Sequence, residues 1–228
     1  MTSSRWEEEI LREKRIKLSR FKELNDPFEL MLIDVRSQDT RDVVKQIYRY
    51  FNDTTGISCF GAGWSSPVMW AHYADKHAGV CLGFDIPDDL LVKVSYTDER
   101  IVVPFGPHLP NKGLSEELLT KLLSTKATDW SYEREYRLLA DLHDKDSVTG
   151  HYYKEFGQQL QLRKIIVGHR CDWTPETVRL FLDEPTSSIR ICKARPGFGR
   201  FEMVEQQQFS PVTIEPSTEK GDCLLSKG

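Results

Sequence analysis

The densest run of chemically capable side chains lies at residues 130–137, which read Trp-Ser-Tyr-Glu-Arg-Glu-Tyr-Arg. We predict a strand over residues 132–142, and because side chains alternate along a strand, Glu133, Glu135 and Arg137 then share one face. Two carboxylates placed this way stand ~7 Å apart. Such a pair can hold a ribose diol and stabilise positive charge that develops at a glycosidic carbon. The alternative is an exposed ladder of mutually neutralising charges, worth ~0–1 kcal/mol.

A second cluster, residues 69–77, combines aromatic and imidazole side chains on a predicted helix. Residues three or four apart share a helix face, so Trp70 and Tyr73 line one side while His72 lies on another. His72 could bind a phosphate or exchange a proton near neutrality, because an unperturbed histidine has a pKa of ~6.5. A histidine on the helix surface or at a cap is the alternative.

The third cluster is the segment Asn-Asp-Pro-Phe-Glu, residues 25–29. A capped turn that buries Phe28 would account for all five residues. The alternative is that Asn25, Asp26 and Glu29 stand at the mouth of a cleft and receive a substrate sugar.

Arg134 and Arg137 would suit recognition of a diphosphate, because a forked guanidinium matches phosphate geometry, although surface salt bridges would explain them equally well. A metal-dependent hydrolase or nuclease is a further hypothesis, with oxygen and imidazole ligands. Its candidate ligands are Asp26, Glu29, His72 and Glu133 or Glu135. Because these residues lack a recognised metal-binding spacing, we predict no metal site.

The elements that must position these clusters mix helices and strands without strict β-α-β alternation. Helical periodicity and cap-plus-proline starts predict helices after Ser4 and over residues 40–52, 67–74, 114–124 and 175–182. Apolar or alternating runs predict strands over residues 16–21, 56–60, 79–86, 90–96, 101–105, 132–142, 152–156, 160–167, 189–193 and 200–204. We therefore predict an α+β fold of compact mixed or antiparallel sheets flanked by helices. The strand at 79–86, apolar on both faces, is predicted to be central in its sheet.

Length and composition limit the class of protein. The chain has 228 residues, of which 39% are hydrophobic, which fits a single domain over residues 1–205 followed by a flexible polar tail over 206–228. The formal net charge of -4 argues against a protein whose main role is to coat nucleic acid or an anionic membrane, although a local basic patch is compatible with it.

The expected location is cytoplasmic, since the N-terminus is charged and no apolar run approaches the ~18 residues of a membrane span. The five cysteines contain no C-x-x-C pair, which indicates reduced thiols rather than a zinc or redox site. Cys59, Cys81 and Cys192 lie in apolar runs and are predicted to be buried.

Taken in order, the three clusters resemble the prokaryotic domain-of-unknown-function 2971 family over about residues 8–170. The resemblance is carried by residues 25–29, by residues 58–60 with 69–73 and 79–85, and by residues 130–137. That family in turn resembles the ADP-ribosyltransferases, compact α+β proteins that split NAD and move ADP-ribose to a target. Several toxin and defence proteins share that fold.

The resemblance implies an ADP-ribosyltransferase-like fold with NAD as substrate, and Glu135 as catalytic residue with Glu133 as its partner. The residues it implies for cofactor binding are Tyr73, Trp70, His72, Arg134, Arg137, Asn25 and Asp26. The expected partners are a nucleotide-type small molecule and an unidentified macromolecular target, with no membrane. The expected function is an ADP-ribosyltransferase or NAD glycohydrolase acting as a toxin or phage-defence effector. A metal-dependent hydrolase or nuclease and a non-catalytic binding module are the alternatives.

One departure from the family pattern affects this expectation. Family members usually begin with an extra strand before the first helix, and that strand would carry an early His or Arg. This sequence starts inside what would be that helix, so the expected NAD site lacks one of its parts and a non-catalytic member is one of the open alternatives.

Overall fold

The computed structural model describes residue 1 and residues 4–103 and 114–216. The chain divides into two compact units, each assembled from separate stretches of sequence. The terminal unit consists of Met1–Glu13, Trp70–Asp85 and Leu160–Gly228, and the central unit consists of Lys14–Met69 and Ile86–Gln159. The single domain predicted over residues 1–205 stays a prediction. The loop predicted over 106–113 and Cys223 lie outside the described residues.

Helices and strands are mixed, as the sequence predicts. The helices are α1 (Ser4–Glu13), α2 (Gln38–Thr54), α3 (Pro67–Tyr73), α4 (Glu116–Leu123) and α5 (Pro175–Phe181). The strands are β1 (Arg15–Leu18), β2 (Thr55–Gly61), β3 (Val80–Asp85), β4 (Leu91–Lys93), β5 (Ser95–Thr97), β6 (Thr125–Ala127), β7 (Glu135–Asp141), β8 (Tyr152–Glu155), β9 (Gln161–Val167), β10 (Ile189–Pro196), β11 (Met203–Glu205) and β12 (Val212–Ile214). The predicted α+β class is therefore confirmed.

Local caps explain where the helices begin. The Ser37 side chain accepts a hydrogen bond from the backbone N–H of Thr40 at the start of α2, and Ser115 does the same for Leu118 in α4. Thr174 caps α5, whose first residue is the predicted proline. These side chains satisfy backbone donors that the first helical turn leaves open, so each start is determined by a few neighbouring residues.

The central unit contains the candidate site and is built on small sheets. β7 lies between β2 and β4 and is antiparallel to both, β1 pairs with β8, and β5 runs parallel to β6. A hydrophobic core packs α2 and α4 residues with the β2 region; its buried members are Phe21, Leu30, Ile33, Val44, Phe51, Ile57 and Leu122. Burial of such aliphatic and aromatic side chains stabilises a fold by about 1.5–3 kcal/mol each.

The terminal unit is built on one sheet in the order β11-β10-β9-β3, with β12 also paired to β10. β9 and β10 are parallel, whereas β3 pairs antiparallel with β9 and ends this order. The prediction that β3 is central is thus wrong. Its residues are apolar on both faces, but the first backbone N–H of the strand, that of Val80, is bonded to the buried carboxylate of Glu7 at 2.8 Å rather than to a further strand.

Part of the segment predicted as a flexible tail is ordered, because β12 pairs antiparallel with β10 from Ile189 to Ile191. Its alternating Val-Thr-Ile sequence is typical of a short strand, although the flanking prolines and glutamines suggested a loose chain. In the part of the chain that is described, no helix has the length and apolar character needed to cross a membrane.

Candidate functional site

Five charged side chains meet in the interior of the central unit and form what we call the charge cluster. Its members are Glu29, Lys126, Glu133, Glu135 and Arg137, and their side-chain exposures range from 0% to 7%. Three carboxylates against two cations leave one excess negative charge when all five are ionised. Buried charges are tolerated only when they are paired and hydrogen-bonded, so the contacts within this cluster decide what it can do.

Arg137 is the centre of the charge cluster. Its Nη1 and Nη2 donate to the two carboxylate oxygens of Glu29 at 2.9 and 2.8 Å, and its Nε donates to Glu135 at 2.8 Å. Nη1 also donates to the carbonyl oxygen of Leu123 at 3.0 Å, and Nη2 approaches a second Glu135 oxygen at 3.5 Å. These contacts use all five N–H groups of the guanidinium, so Arg137 is fully committed to the protein interior.

Lys126 supplies the second cation, from β6. Its ammonium nitrogen donates to Glu133 at 2.6 Å and to Glu135 at 3.2 Å, and it lies 4.0 Å from Glu29. The same nitrogen stands 4.5 Å from the centroid of the Trp130 ring, within the range of a cation–π interaction. Lys126 therefore bridges the two glutamates that the sequence marks as candidates.

A left-handed residue brings these two glutamates together. The strand predicted over 132–142 begins only at Glu135, because residues Thr128–Glu133 form a 3₁₀ helix that ends at Arg134, with φ 48° and ψ 53°. The turn at Arg134 leaves that side chain exposed and directs its two neighbours inward. The prediction that Glu133, Glu135 and Arg137 share one face is thus correct, although a kink at Arg134 rather than a continuous strand produces this arrangement. The alternative of an exposed charge ladder is wrong.

The electrostatics of the cluster differ between its carboxylates. Burial alone would raise the pKa of Glu135, but the adjacent Arg137 and Lys126 cations lower it below its ordinary value. For Glu29, burial outweighs the same two cations and raises the pKa. Burial would lower the pKa of Lys126, but Glu135 and Glu133 raise it, so the lysine is held in its charged form.

The Asn-Asp-Pro-Phe-Glu segment forms a turn in which Glu29, rather than Phe28, is buried. Asp26 is buried and its carboxylate accepts a hydrogen bond from the backbone N–H of Phe28 at 2.9 Å, as a capped turn requires. The side chain that turns inward, however, is Glu29, because Arg137 neutralises it there. Phe28 is 54% exposed, so the prediction that it is buried is wrong. Asn25 is exposed.

Residues 70–77 of the predicted helical cluster belong to the terminal unit, whereas Met69 belongs to the central unit. Trp70 has no exposed surface, and its ring stacks on that of His77 with the centroids 6.4 Å apart. A ring enclosed in this way has no face open to a ligand. His72 is exposed and Tyr73 is half-buried.

A cavity of about 220 Å³ lies in the central unit beside the stem of Lys126. Its walls combine apolar, hydroxyl and charged side chains: Phe28, Met31, Leu32, Thr97, Asp98, Glu99, Arg100, Thr125, Lys126 and Ala127. The guanidinium of Arg100 stands 5.3 Å from the centroid of the Phe28 ring. We call this space the Lys126 cavity; none of the predicted site residues lines it.

Sequence reasoning missed Lys126, Arg100 and the exposed ring of Phe28. The signal available for Arg100 was the charged run Asp-Glu-Arg that follows an apolar-alternating strand. Lys126 lies in no motif, and only the folded chain brings it to Glu133 and Glu135.

Cys59 departs from its prediction as well, since it is exposed whereas Cys81 and Cys192 are buried as predicted. On β2 it lies opposite Arg137 of β7, and its thiol donates a hydrogen bond to Glu135. The protein atoms packed around the sulfur, followed by the Glu135 carboxylate, raise the pKa of this thiol. Cys59 is therefore held as a thiol donor rather than as a reactive thiolate.

No group of three or more His, Cys, Asp or Glu side chains that could hold a metal ion occurs among the described residues. Two of the ligands that the hydrolase hypothesis needs, Glu29 and Glu135, are instead bonded to Arg137. That hypothesis stays a prediction.

Comparison with known protein families finds a match over part of the chain. Residues 69–138 match the model of a family described as "Protein of unknown function (DUF2971)". The match supports the resemblance drawn from residues 69–73, 79–85 and 130–137, and it is narrower than the predicted 8–170, since it leaves out residues 25–29. No curated protein and no solved structure matches the chain.

Proposed function

We propose that this chain is a binding module for a nucleotide-type small molecule, with the Lys126 cavity as its site and NAD as the first candidate ligand. The observation that carries the proposal is that one cavity offers an exposed aromatic ring, a guanidinium and two carboxylates, those of Phe28, Arg100, Asp98 and Glu99. An aromatic face stacks on a base, and a guanidinium matches a phosphate. Carboxylates accept hydrogen bonds from ribose hydroxyls.

The volume of the cavity limits how much of the ligand enters it. At about 220 Å³ it is smaller than the ~300–1,000 Å³ typical of pockets for drug-sized ligands. We therefore expect one half of NAD, a base with its ribose, to occupy the cavity while the other half stays outside.

The charge cluster holds one wall of the Lys126 cavity in place. Lys126 lines the cavity with its stem and holds Glu133 and Glu135 with its ammonium nitrogen, at 2.6 and 3.2 Å. Because the cluster is buried and its cations are paired, its contribution to the proposed function is to fix the wall that Lys126 belongs to.

Calorimetric titration with NAD and with its two mononucleotide halves tests the proposal. We expect wild-type protein to bind NAD and Phe28→Ala to weaken binding by about fivefold or more, since stacking on a base is worth ~1–3 kcal/mol. Arg100→Gln should also weaken binding, because glutamine lacks the charge that strengthens hydrogen bonds to a phosphate. Val148→Ala, which truncates an apolar side chain that is 92% exposed and does not line the cavity, is the matched control. Absence of binding by the wild type, or equal binding by Phe28→Ala and the control, would sink the proposal.

A second candidate function is consumption of NAD, by an ADP-ribosyltransferase or NAD glycohydrolase that acts as a toxin or phage-defence effector. The observation that favours it is the pair of carboxylates, Glu133 and Glu135, one lysine side chain away from the cavity. In this proposal Glu135 would be the catalytic residue and Glu133 its partner. Because Glu135 is bonded to both Arg137 and Lys126, the reaction would first require Lys126 to release it.

This second candidate is tested by measuring the release of nicotinamide. The reaction is run at a temperature where each variant is folded, and its products are measured by chromatography. If it is correct, wild type releases nicotinamide, Glu135→Gln does not, and Glu117→Gln, which changes a carboxylate that is 78% exposed on α4, keeps the wild-type rate. Binding of NAD without any release of nicotinamide would leave the binding module as the function and exclude the reaction.

A further inference from the structure

The terminal unit carries an unusual concentration of exposed aromatic and basic side chains at the turn between β10 and β11. The sequence from residue 195 to residue 202 is Arg-Pro-Gly-Phe-Gly-Arg-Phe-Glu, and we call it the hairpin tip. Phe198 is 94% exposed and Phe201 is 103% exposed. Single exposed apolar residues are ordinary on protein surfaces, but two fully exposed rings three residues apart require an explanation.

The hairpin tip is an ordered turn rather than a loose loop. β10 and β11 pair up to Pro196 and Met203, and the backbone N–H of Gly197 donates to the carbonyl oxygen of Glu202 at 2.8 Å across the base of the turn. A side chain at Gly197 would meet the Arg200 carbonyl oxygen at 2.9 Å. The turn therefore requires glycine at this position, and it holds both phenylalanines away from the sheet.

One of the rings is already oriented by a cation. The guanidinium of Arg195 stands 4.1 Å from the centroid of the Phe198 ring, and its Nη1 donates to the carbonyl oxygen of Pro196 at 2.8 Å. A guanidinium stacked on one face of a ring leaves the other face for a second flat group. The glycines on either side of Phe198 add no side chain that would obstruct such a group.

The charge of the hairpin tip is positive although the whole chain is acidic. Arg195 and Arg200 stand against Glu202 alone, and neither arginine forms an ion pair within the described residues. The next acidic residue, Glu205, is neutralised by its ion pair with Arg190 and lies near Lys164 as well. Two guanidinium groups outside any ion pair of the described residues, beside two open aromatic rings, match the alternating phosphates and bases of a nucleic-acid strand.

We propose that the hairpin tip binds single-stranded nucleic acid, with bases stacked on Phe198 and Phe201 and phosphates bound by Arg195 and Arg200. Single-stranded binding surfaces combine these two features, because every base has a flat face and every nucleotide carries a negative charge. A membrane surface is the less suitable partner, because the tip contributes no aliphatic side chain and no tryptophan that would extend an apolar patch.

Fluorescence anisotropy with the full-length chain and labelled 12-mers of oligouridylate and oligothymidylate tests the proposal. We expect binding of one or both, which also distinguishes RNA from DNA as the preferred strand. Phe198→Leu/Phe201→Leu should weaken binding by about tenfold or more, whereas Phe198→Tyr/Phe201→Tyr should preserve it, because the first pair of substitutions removes only the stacking faces. Unchanged melting temperatures will show that the exposed rings do not contribute to folding.

Salt dependence tests the arginines separately. Removing two phosphate contacts in Arg195→Gln/Arg200→Gln should reduce the slope of log affinity against log salt concentration by about 1.4, at ~0.7 per contact for single strands. Val148→Ala, a truncation of an exposed side chain in the central unit, should bind as wild type does. No binding of either 12-mer at low salt, equal binding by the leucine and tyrosine variants, or binding to phosphatidylserine vesicles instead of the oligonucleotides would overturn the proposal.

Discussion

Arg137 is the main cation for two buried carboxylates, Glu29 and Glu135, of which Glu135 is also bonded to Lys126. We expect Arg137→Met to lower the free energy of unfolding by about 3–5 kcal/mol, because Glu29 and Glu135 would keep their burial and lose their nearest cation, with Lys126 left against three carboxylates. Urea denaturation measures this change. The matched control is Arg134→Met, the same substitution at an exposed side chain three residues earlier, with an expected change within about 0.5 kcal/mol. Equal losses in the two variants would contradict a special role for the cluster.

The two carboxylates bound to Arg137 should respond to pH with opposite signs. The pKa of Glu135 is lowered in the folded state, so its stabilising contribution is complete above the ordinary carboxyl pKa of ~4.3 and is lost as pH falls through the lower folded value. The pKa of Glu29 is raised, so its contribution is present below the ordinary value and is lost as pH rises through the folded one.

Urea midpoints measured between pH 7 and pH 3 check these signs. Glu135→Gln should make stability less sensitive to acid than in wild type, whereas Glu29→Gln should make the loss of stability on acidification steeper. Parallel pH profiles for wild type and both variants would show that neither carboxylate is perturbed as described.

At the scale of elements, local signals predict helix starts well because a cap and its partner are only a few residues apart. Ser37, Ser115 and Thr174 act in this way, and each helix begins next to them. The start of β7 is different, because the alternating sequence before it suits a continuous strand and a 3₁₀ helix followed by a left-handed residue equally well. Pairing partners are also unpredictable from an apolar run, so β3 ends its sheet although its composition suggests a central strand.

The left-handed residue between the 3₁₀ helix and β7 can be tested directly. Arg134 has φ 48°, a conformation that costs a residue with a Cβ about 1 kcal/mol relative to glycine. We therefore expect Arg134→Gly to leave the urea midpoint unchanged or to raise it, and Arg134→Val to lower stability by about 1–2 kcal/mol, because a β-branched side chain tolerates this conformation least. A valine variant as stable as the glycine variant would contradict the assigned backbone conformation.

At the scale of the whole molecule, the sequence predicts parts of the site that share one stretch of chain and misses those joined by the fold. Glu133, Glu135 and Arg137 can be grouped from their spacing, and Glu29 can be suspected from its motif. The packing of the central unit determines that Glu29 pairs with Arg137, 108 residues later, and that Lys126 joins them. The Lys126 cavity is likewise formed by three separate segments, residues 28–32, 97–100 and 125–127, that share no pattern.

The division into two units predicts how the chain responds to shortening. A chain that ends after Gln159 keeps every residue of the central unit but removes β9, the sheet partner of β3. We expect the backbone amides of β7 to keep their protection from hydrogen exchange, while those of β3 exchange rapidly. Hydrogen-exchange mass spectrometry of the shortened and full-length chains measures both. Simultaneous loss of protection in both strands would show that the units do not fold separately.

The accessibility of Cys59 has a practical consequence for experiments on this protein. Among the cysteines of the described residues it is the one that is exposed, since Cys81, Cys171 and Cys192 are buried. Because maleimides react with the thiolate and the pKa of this thiol is raised, we expect a maleimide dye to attach at Cys59 slowly at neutral pH and faster as the pH rises, once Cys223 has been replaced by serine. A dye attached there would lie next to the Glu135 carboxylate, so the chain provides its own attachment point for an optical reporter of that carboxylate.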